Sequence, residues 1–122
     1  MNFRKLVRSL TIGCAGLIDV IRSEQNMRIH CVVAAGVTVA GLVFALAAWE
    51  WVAVVLCIGL VLSAECMNTA LERLADRVTQ ERDPLIKQAK DCGAAAVLVV
   101  ALTAVVVGGA VFVPKIGAAV GW

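Results

Sequence analysis

Charge is scarce in this chain. Only 16% of its 122 residues are Asp, Glu, Lys or Arg, 61% are hydrophobic, and mean hydropathy is +0.93. That balance excludes an ordinary soluble domain and points to a single integral-membrane domain over residues 1–122. A net charge of +2 gives no signal for nucleic acid. The five cysteines, Cys14, Cys31, Cys57, Cys66 and Cys92, are scattered and contain no CxxC pair. A disulfide framework or zinc site is therefore not expected, and they read as small apolar side chains. The first apolar run starts only near residue 31, with no small-residue cleavage pattern after it, so no secretory signal is expected. Internal repeats and low-complexity linkers are missing as well.

What charge there is falls in blocks. Arg4, Lys5, Arg8, Arg22 and Arg28 precede the first apolar run, and Arg73, Arg77, Arg82, Lys87 and Lys90 precede the last one. The stretch "AAWEWVA" between the first two runs carries only Glu50, and only Lys115 follows the last run. The positive-inside bias predicts a cytoplasmic N-terminus and a cytoplasmic 73–91 segment, with the turn at 49–51 and the C-terminus outside.

The apolar pattern predicts an all-α architecture. Phe3, Leu6, Val7, Leu10, Cys14, Leu17, Ile18 and Ile21 recur at three- and four-residue steps, which suits an amphipathic surface helix over about 3–22. Three membrane-spanning helices follow at about 29–48, 51–72 and 92–113. Trp49 and Trp51 read as an interfacial belt at the outer face, and Pro114 with Gly117 is expected to end the last helix. "TQERDPL" reads as an exposed turn. The resulting topology is N-inside and C-outside.

Against this apolar background one polar stripe stands out. In "SAECMNTALERLAD", Glu65, Asn68, Thr69, Glu72 and Asp76 share one face of a helix. Glu65 is the deepest acid, and an ionised carboxylate facing lipid is costly, so it must face protein, water or a ligand. It reads equally as a general base or as a structural acid paired with Arg or Asn. Glu72 and Asp76 lie nearer water, and "RSEQNMRIH" brings Glu24 to the same membrane face. Converging carboxylates suit Mg²⁺, which takes one or two of them together with substrate phosphates. Lys90-Asp91 opens the last helix at that face, where a lysine can neutralise phosphate. The plainer alternative is snorkelling lysines and solvated surface acids. His30, taken alone, reads as an interfacial or core histidine. No G-x-x-x-x-G-K-[ST] loop and no protein-kinase signature occurs, so any phosphoryl transfer needs a site built from helix side chains and Mg²⁺.

"ECMNTALERLAD" followed by "KQAKDCGAAAVL" resembles the paired signatures of the small prokaryotic diacylglycerol kinase/undecaprenol kinase family, and "SEQNMRIH" is similar to its upstream acidic motif. The resemblance runs from about residue 5 to 113. It implies a multi-pass lipid kinase of the cell inner membrane, a homotrimer with active sites between subunits at the cytoplasmic face. It implies Glu65 as catalytic base, with Glu24 and Glu72 holding Mg²⁺. ATP is then met by Lys5, Glu24, Glu72, Glu81, Arg82, Asp83, Lys90 and Asp91, with Asn68 and Asp76 as further polar residues of the site. Asn26, His30, Glu65 and Ala94 fall to the lipid alcohol. Asn26 and His30 match the undecaprenol branch and Arg28 the diacylglycerol branch, which favours undecaprenol as acceptor over diacylglycerol. The competing class is a non-enzymatic ion or proton pathway with Glu65 as carrier.

Overall fold

A computed structural model describes residues 1–122 as four helices and no strands: α1 (Phe3–Ser23), α2 (Gln25–Val43), α3 (Ala48–Val78) and α4 (Pro84–Val120). The Asn2 side chain accepts from the Lys5 N–H and starts α1. The surface helix is as predicted: Phe3, Leu6, Leu10 and Leu17 stay exposed, and Val20 is its one buried residue. A single extended residue, Glu24, separates α1 from α2 and forms the elbow between them.

The first spanning helix begins earlier than expected and ends at Val43, not near 48. Ala45 adopts φ 50°, the Leu46 N–H donates to the Gly41 carbonyl at 3.1 Å, and the Ala45 N–H donates to Leu42 at 3.3 Å. This is a Schellman stop with alanine at the left-handed position normally held by glycine. The turn expected at 49–51 therefore lies at residues 44–47. Trp49, Glu50 and Trp51 form the first turn of α3 instead. Glu50 is buried there, accepting from the Ala47 N–H at 2.9 Å and from Lys115 Nζ at 3.0 Å. A carboxylate at a helix N-terminus satisfies a free backbone donor and opposes the helix dipole.

α3 continues through the acidic stripe to Val78. At 31 residues it is roughly 46 Å long, more than a ~30 Å hydrocarbon layer needs, so its last turns lie beyond the apolar zone. Asp83 then starts α4 by accepting from the N–H groups of Leu85 and Ile86, with Pro84 in the first helical position. The expected stop at Pro114 does not occur: α4 runs through it to Val120 and ends on Gly121 at φ 83°. Proline removes one intrahelical hydrogen bond, and apolar helices packed on neighbours tolerate that loss.

α4 packs chiefly along α3, α2 packs on α3, and α1 touches α2 and α3. The small core lies at the end of the bundle away from the acidic stripe, where Leu46, Val54 and Val111 are covered by Val37, Trp51, Ile58, Val107 and Phe112. Trp51 sits so closely on Gly41 that a Cβ there would come within 2.6 Å of its ring. Only 12 of 122 residues are buried, so most of the apolar surface of α2, α3 and α4 faces outward, as lipid-contacting helices require. The three apolar helices make the chain a membrane protein.

Candidate functional site

The polar stripe of α3 meets α2 on one side and α4 on the other. Glu65 is 3% exposed, and its Oε2 lies 3.7 Å from His30 Nε2 on α2. That separation is too long for a hydrogen bond. Glu65 Oε2, Asn68 Oδ1 and Thr69 Oγ1 are all buried without a hydrogen-bond partner. Three unsatisfied polar atoms within five residues of one helix are unusual, because each forfeits the hydration it had in water.

Asn68 Nδ2 donates to Glu72 Oε1 at 3.4 Å, so the amide contacts the shallow acid and leaves its own oxygen unpartnered. Glu24 comes within 4.0 Å of Arg73, the residue after Glu72, which places it beside the Glu72 turn of α3. Glu72 is half-buried, and the nearest cation to Glu24 is Arg73 Nη2 at 4.0 Å. No ready-made cage of three or more His, Cys, Asp or Glu side chains converges here. Two hard carboxylates with free lone pairs do fit Mg²⁺, which draws its remaining ligands from water and phosphate.

Further along, Lys90 on α4 donates to Asp76 on α3, and Lys87 donates to Asp91 at 2.6 Å. The Lys90 ammonium lies before the apolar run of α4, and its hydrogen bond to Asp76 holds it above the ordinary lysine range. Asp76, Lys87, Lys90 and the loop from Thr79 to Asp83 line a polar cavity of about 720 Å³. Glu81 and Arg82 are exposed on that loop, whereas the Asp83 carboxylate is engaged in capping α4.

On the other side of Glu65, an apolar cavity of about 470 Å³ runs between α2, α3 and α4. His30 stands among Val33, Val37, Val61, Val105 and Phe112 in its lining. Along α3, Glu65 falls between the residues that line the apolar cavity, which end at Leu62, and those that line the polar one, which begin at Asp76, and it lines neither. Glu65 to Glu72 is about 10 Å of helical rise, and Glu65 to Asp76 about 16 Å.

Not every expected residue gathers here. Lys5 lies roughly 27 Å of helical rise from the α1 elbow and makes only the backbone contact to Asn2. Asn26 and Ala94 are exposed and stand outside the apolar cavity lining. Conversely, three features were not singled out from sequence. Arg73 donates to Asp19 and, at 2.7 Å, to Ser23 Oγ. Arg28 Nη1 donates to the last carbonyls of α1, Ile21 at 3.2 Å and Arg22 at 2.7 Å. Gly93 lets α4 approach so closely that a Cβ there would be 2.6 Å from Asn68 Oδ1. Arg73 was visible only as a member of a basic block, Arg28 was read as a match to the diacylglycerol branch and not as a tie to α1, and nothing in the sequence distinguished Gly93 from its apolar neighbours.

A family model described as prokaryotic diacylglycerol kinase matches residues 11–112. The undecaprenol kinase of Bacillus subtilis (strain 168) is 37% identical over 115 residues, covering 94% of both chains. A diacylglycerol kinase of Synechocystis sp. (strain ATCC 27184 / PCC 6803 / Kazusa) is 37% identical over 91% of this chain and 64% of its own length. A diacylglycerol kinase of Pseudomonas aeruginosa is 52% identical over a shorter stretch of 48 residues, 39% of this chain and 38% of the relative.

Proposed function

The chain belongs to the prokaryotic diacylglycerol kinase family and is a membrane lipid kinase, and from that premise we propose that it transfers the γ-phosphate of ATP to the hydroxyl of undecaprenol. The observation that carries the mechanism is the position of Glu65, buried with its Oε2 unpartnered, on the stretch of α3 between the residues that line an apolar cavity and those that line a charged one. The lipid tail lies along the apolar helices and brings its hydroxyl to Glu65. Glu65 accepts the hydroxyl proton as the lipid oxygen bonds to the γ-phosphorus. The bond from that phosphorus to the bridging oxygen breaks, and ADP leaves with the electron pair.

ATP enters from the side of the polar cavity, where Lys90 neutralises phosphate charge and the Glu81–Asp83 loop and Asp91 border the nucleotide. Glu24 and Glu72 would hold Mg²⁺, which would supply positive charge to the phosphate oxygens. Asn68 orients Glu72 through its amide. His30 lies between the apolar lining and Glu65, where a lipid hydroxyl arriving along the cavity would pass it. Most of the catalysis is positioning and charge neutralisation. The non-enzymatic proton pathway falls with family membership.

Three further parts belong to this reading. The active site faces the cytoplasm, supported by the two basic blocks on either side of the stripe. The working form is a homotrimer with sites between subunits. In its favour, a single protomer buries few residues, leaves Glu65 and Thr69 unpartnered, and holds Lys5, Asn26 and Ala94 away from Glu65. The acceptor is undecaprenol rather than diacylglycerol, supported by Asn26 and His30 and by the near-full-length likeness to the Bacillus subtilis undecaprenol kinase. The test is phosphate transfer from radiolabelled ATP, with undecaprenol and diacylglycerol at equal mole fraction in the same mixed micelles. A higher kcat/KM for undecaprenol is expected. A higher value for diacylglycerol overturns the acceptor assignment.

A further inference from the structure

The elbow between α1 and α2 is the shortest joint in the molecule. Glu24 is its only residue, and its backbone is extended, φ −107° and ψ 121°. The direction of the Glu24 side chain is therefore set by how α1 is held. α1 buries only Val20, so packing alone fixes it weakly. Arg28 secures the α1 carbonyls to the start of α2, but that contact lies within the elbow and leaves α1 free to swing against α3.

The link to α3 is Arg73. Its Nη1 donates to Asp19 and its Nη2 to Ser23 Oγ at 2.7 Å, one turn apart on α1. Glu24 Oε1 stands 4.0 Å from Nη2, within the field of the guanidinium but outside hydrogen-bond reach. The two donor edges of the guanidinium are taken by Asp19 and Ser23, so the Glu24 lone pairs remain free. Arg73 directly follows Glu72, and the same turn of α3 carries both. We propose that Arg73 is a positioning residue that docks the surface helix on α3 and holds the Glu24 carboxylate within reach of the Glu65–Glu72 face. The proposal rests on the reading of Glu24 and Glu72 as the Mg²⁺ ligands.

The side chains involved are well exposed, 48% for Arg73 and 58% for Asp19. Exposed ion pairs add little to folding, so the contact matters for geometry and the variants will fold. A lysine has one compact ammonium and cannot present two donor edges in a plane, so Arg73→Lys falls between the parent and Arg73→Gln.

The test measures two quantities on the full-length protein in mixed micelles. One is the Mg²⁺ concentration for half-maximal turnover at saturating ATP and lipid. The other is the distance between spin labels at Thr11→Cys on α1 and Arg77→Cys on α3, with the native cysteines replaced. Arg73→Gln is expected to raise the Mg²⁺ requirement roughly 10-fold, the low end of the cost of losing outer-shell support, because Arg73 holds Glu24 through α1 and not by a direct hydrogen bond. It is also expected to broaden the distance distribution, while turnover at saturating Mg²⁺ largely recovers. If Glu24→Gln leaves the Mg²⁺ requirement unmoved, the reading of Glu24 as a ligand is overturned. If Glu24→Gln raises it but Arg73→Gln moves neither quantity, the role of Arg73 is overturned alone. A shift in only one of the two for Arg73→Gln breaks the link between docking and Glu24, and overturns the proposal as well.

Discussion

Gly93→Ala separates packing from function in this site. The added Cβ would come 2.6 Å from Asn68 Oδ1 and 3.4 Å from Leu71 Cδ2. Backbone is not in the way, so the least costly response is rotation of the Asn68 amide. That rotation costs about 0.5–1.5 kcal/mol if the side chain leaves its rotamer. Alanine in a helix interior returns about 0.5–1 kcal/mol relative to glycine. The two effects nearly cancel, and the midpoint of thermal unfolding in detergent should stay within about 5 °C of the parent. The hydrogen bond from Asn68 to Glu72, however, is lost. At 3.4 Å it is long, so its contribution is about 1 kcal/mol, that of an ordinary hydrogen bond and below the range for one to a charged group. That corresponds to a rise of about fivefold in KM for Mg·ATP. Steady-state kinetics and a melting curve on the same preparation decide the matter. An unchanged KM would show that Asn68 does not orient Glu72. A collapse of stability would show that α4 cannot accommodate the rotation, and the balance above would be wrong.

Glu65→Gln keeps shape but is a poor proton acceptor; turnover should fall by roughly 10²–10⁴ while nucleotide affinity survives, whereas Glu72→Gln should weaken Mg·ATP binding itself. Loss of ATP binding to the same degree in both variants would move Glu65 to the nucleotide side. In a background without native cysteines, a label near residue 82 should react only from the cytoplasm and one near residue 119 only from outside; the reverse pattern would refute the orientation. Ala45→Gly should raise stability by about 1 kcal/mol with turnover unchanged, since a left-handed φ of 50° strains alanine and not glycine. A destabilised Ala45→Gly would show that the alanine methyl contributes packing that offsets the strain.

The periodicity of apolar residues was enough to reveal the number and order of the helices, because each helix is long and its lipid-facing pattern is strong. Their ends were less readable. α2 stops on an alanine in a conformation that alanine rarely adopts, and no glycine or proline marks the place. α4 ignores Pro114 because neighbours, not local propensity, hold an apolar helix together. The acidic stripe was readable from i, i+3, i+4 and i+7 spacing, and Glu65, Asn68 and Glu72 do share one face near Glu24 and Lys90. The partners of those residues were not. That Asp76 pairs with Lys90, Glu50 with Lys115 and Arg73 with Asp19 depends on how distant helices cross, which no spacing encodes. Lys5 is the converse case: motif alignment attaches it to the nucleotide, yet a straight helix carries it far from the elbow of its own chain.

The pattern of pairing also argues for where chemistry takes place. Five acids elsewhere in the bundle have partners within hydrogen-bond reach. Glu50 has Lys115 and a backbone donor, Asp76 has Lys90, Asp91 has Lys87, Asp19 has Arg73, and Asp83 caps a helix. A membrane protein gains from such pairing because unpaired polar groups at depth are expensive. Against that background the buried and unpartnered atoms are Glu65 Oε2, Asn68 Oδ1 and Thr69 Oγ1, all on one face of α3. Stability alone would have favoured apolar residues at those positions, since the helix would form equally well without them. A lipid hydroxyl is the kind of group that would satisfy Glu65: small, polar and attached to a tail that the surrounding apolar surface accepts. Under the proposed mechanism the unmet hydrogen-bonding capacity becomes binding energy for the reacting end of the substrate, at a depth that a bilayer lipid and a water-borne nucleotide would both reach.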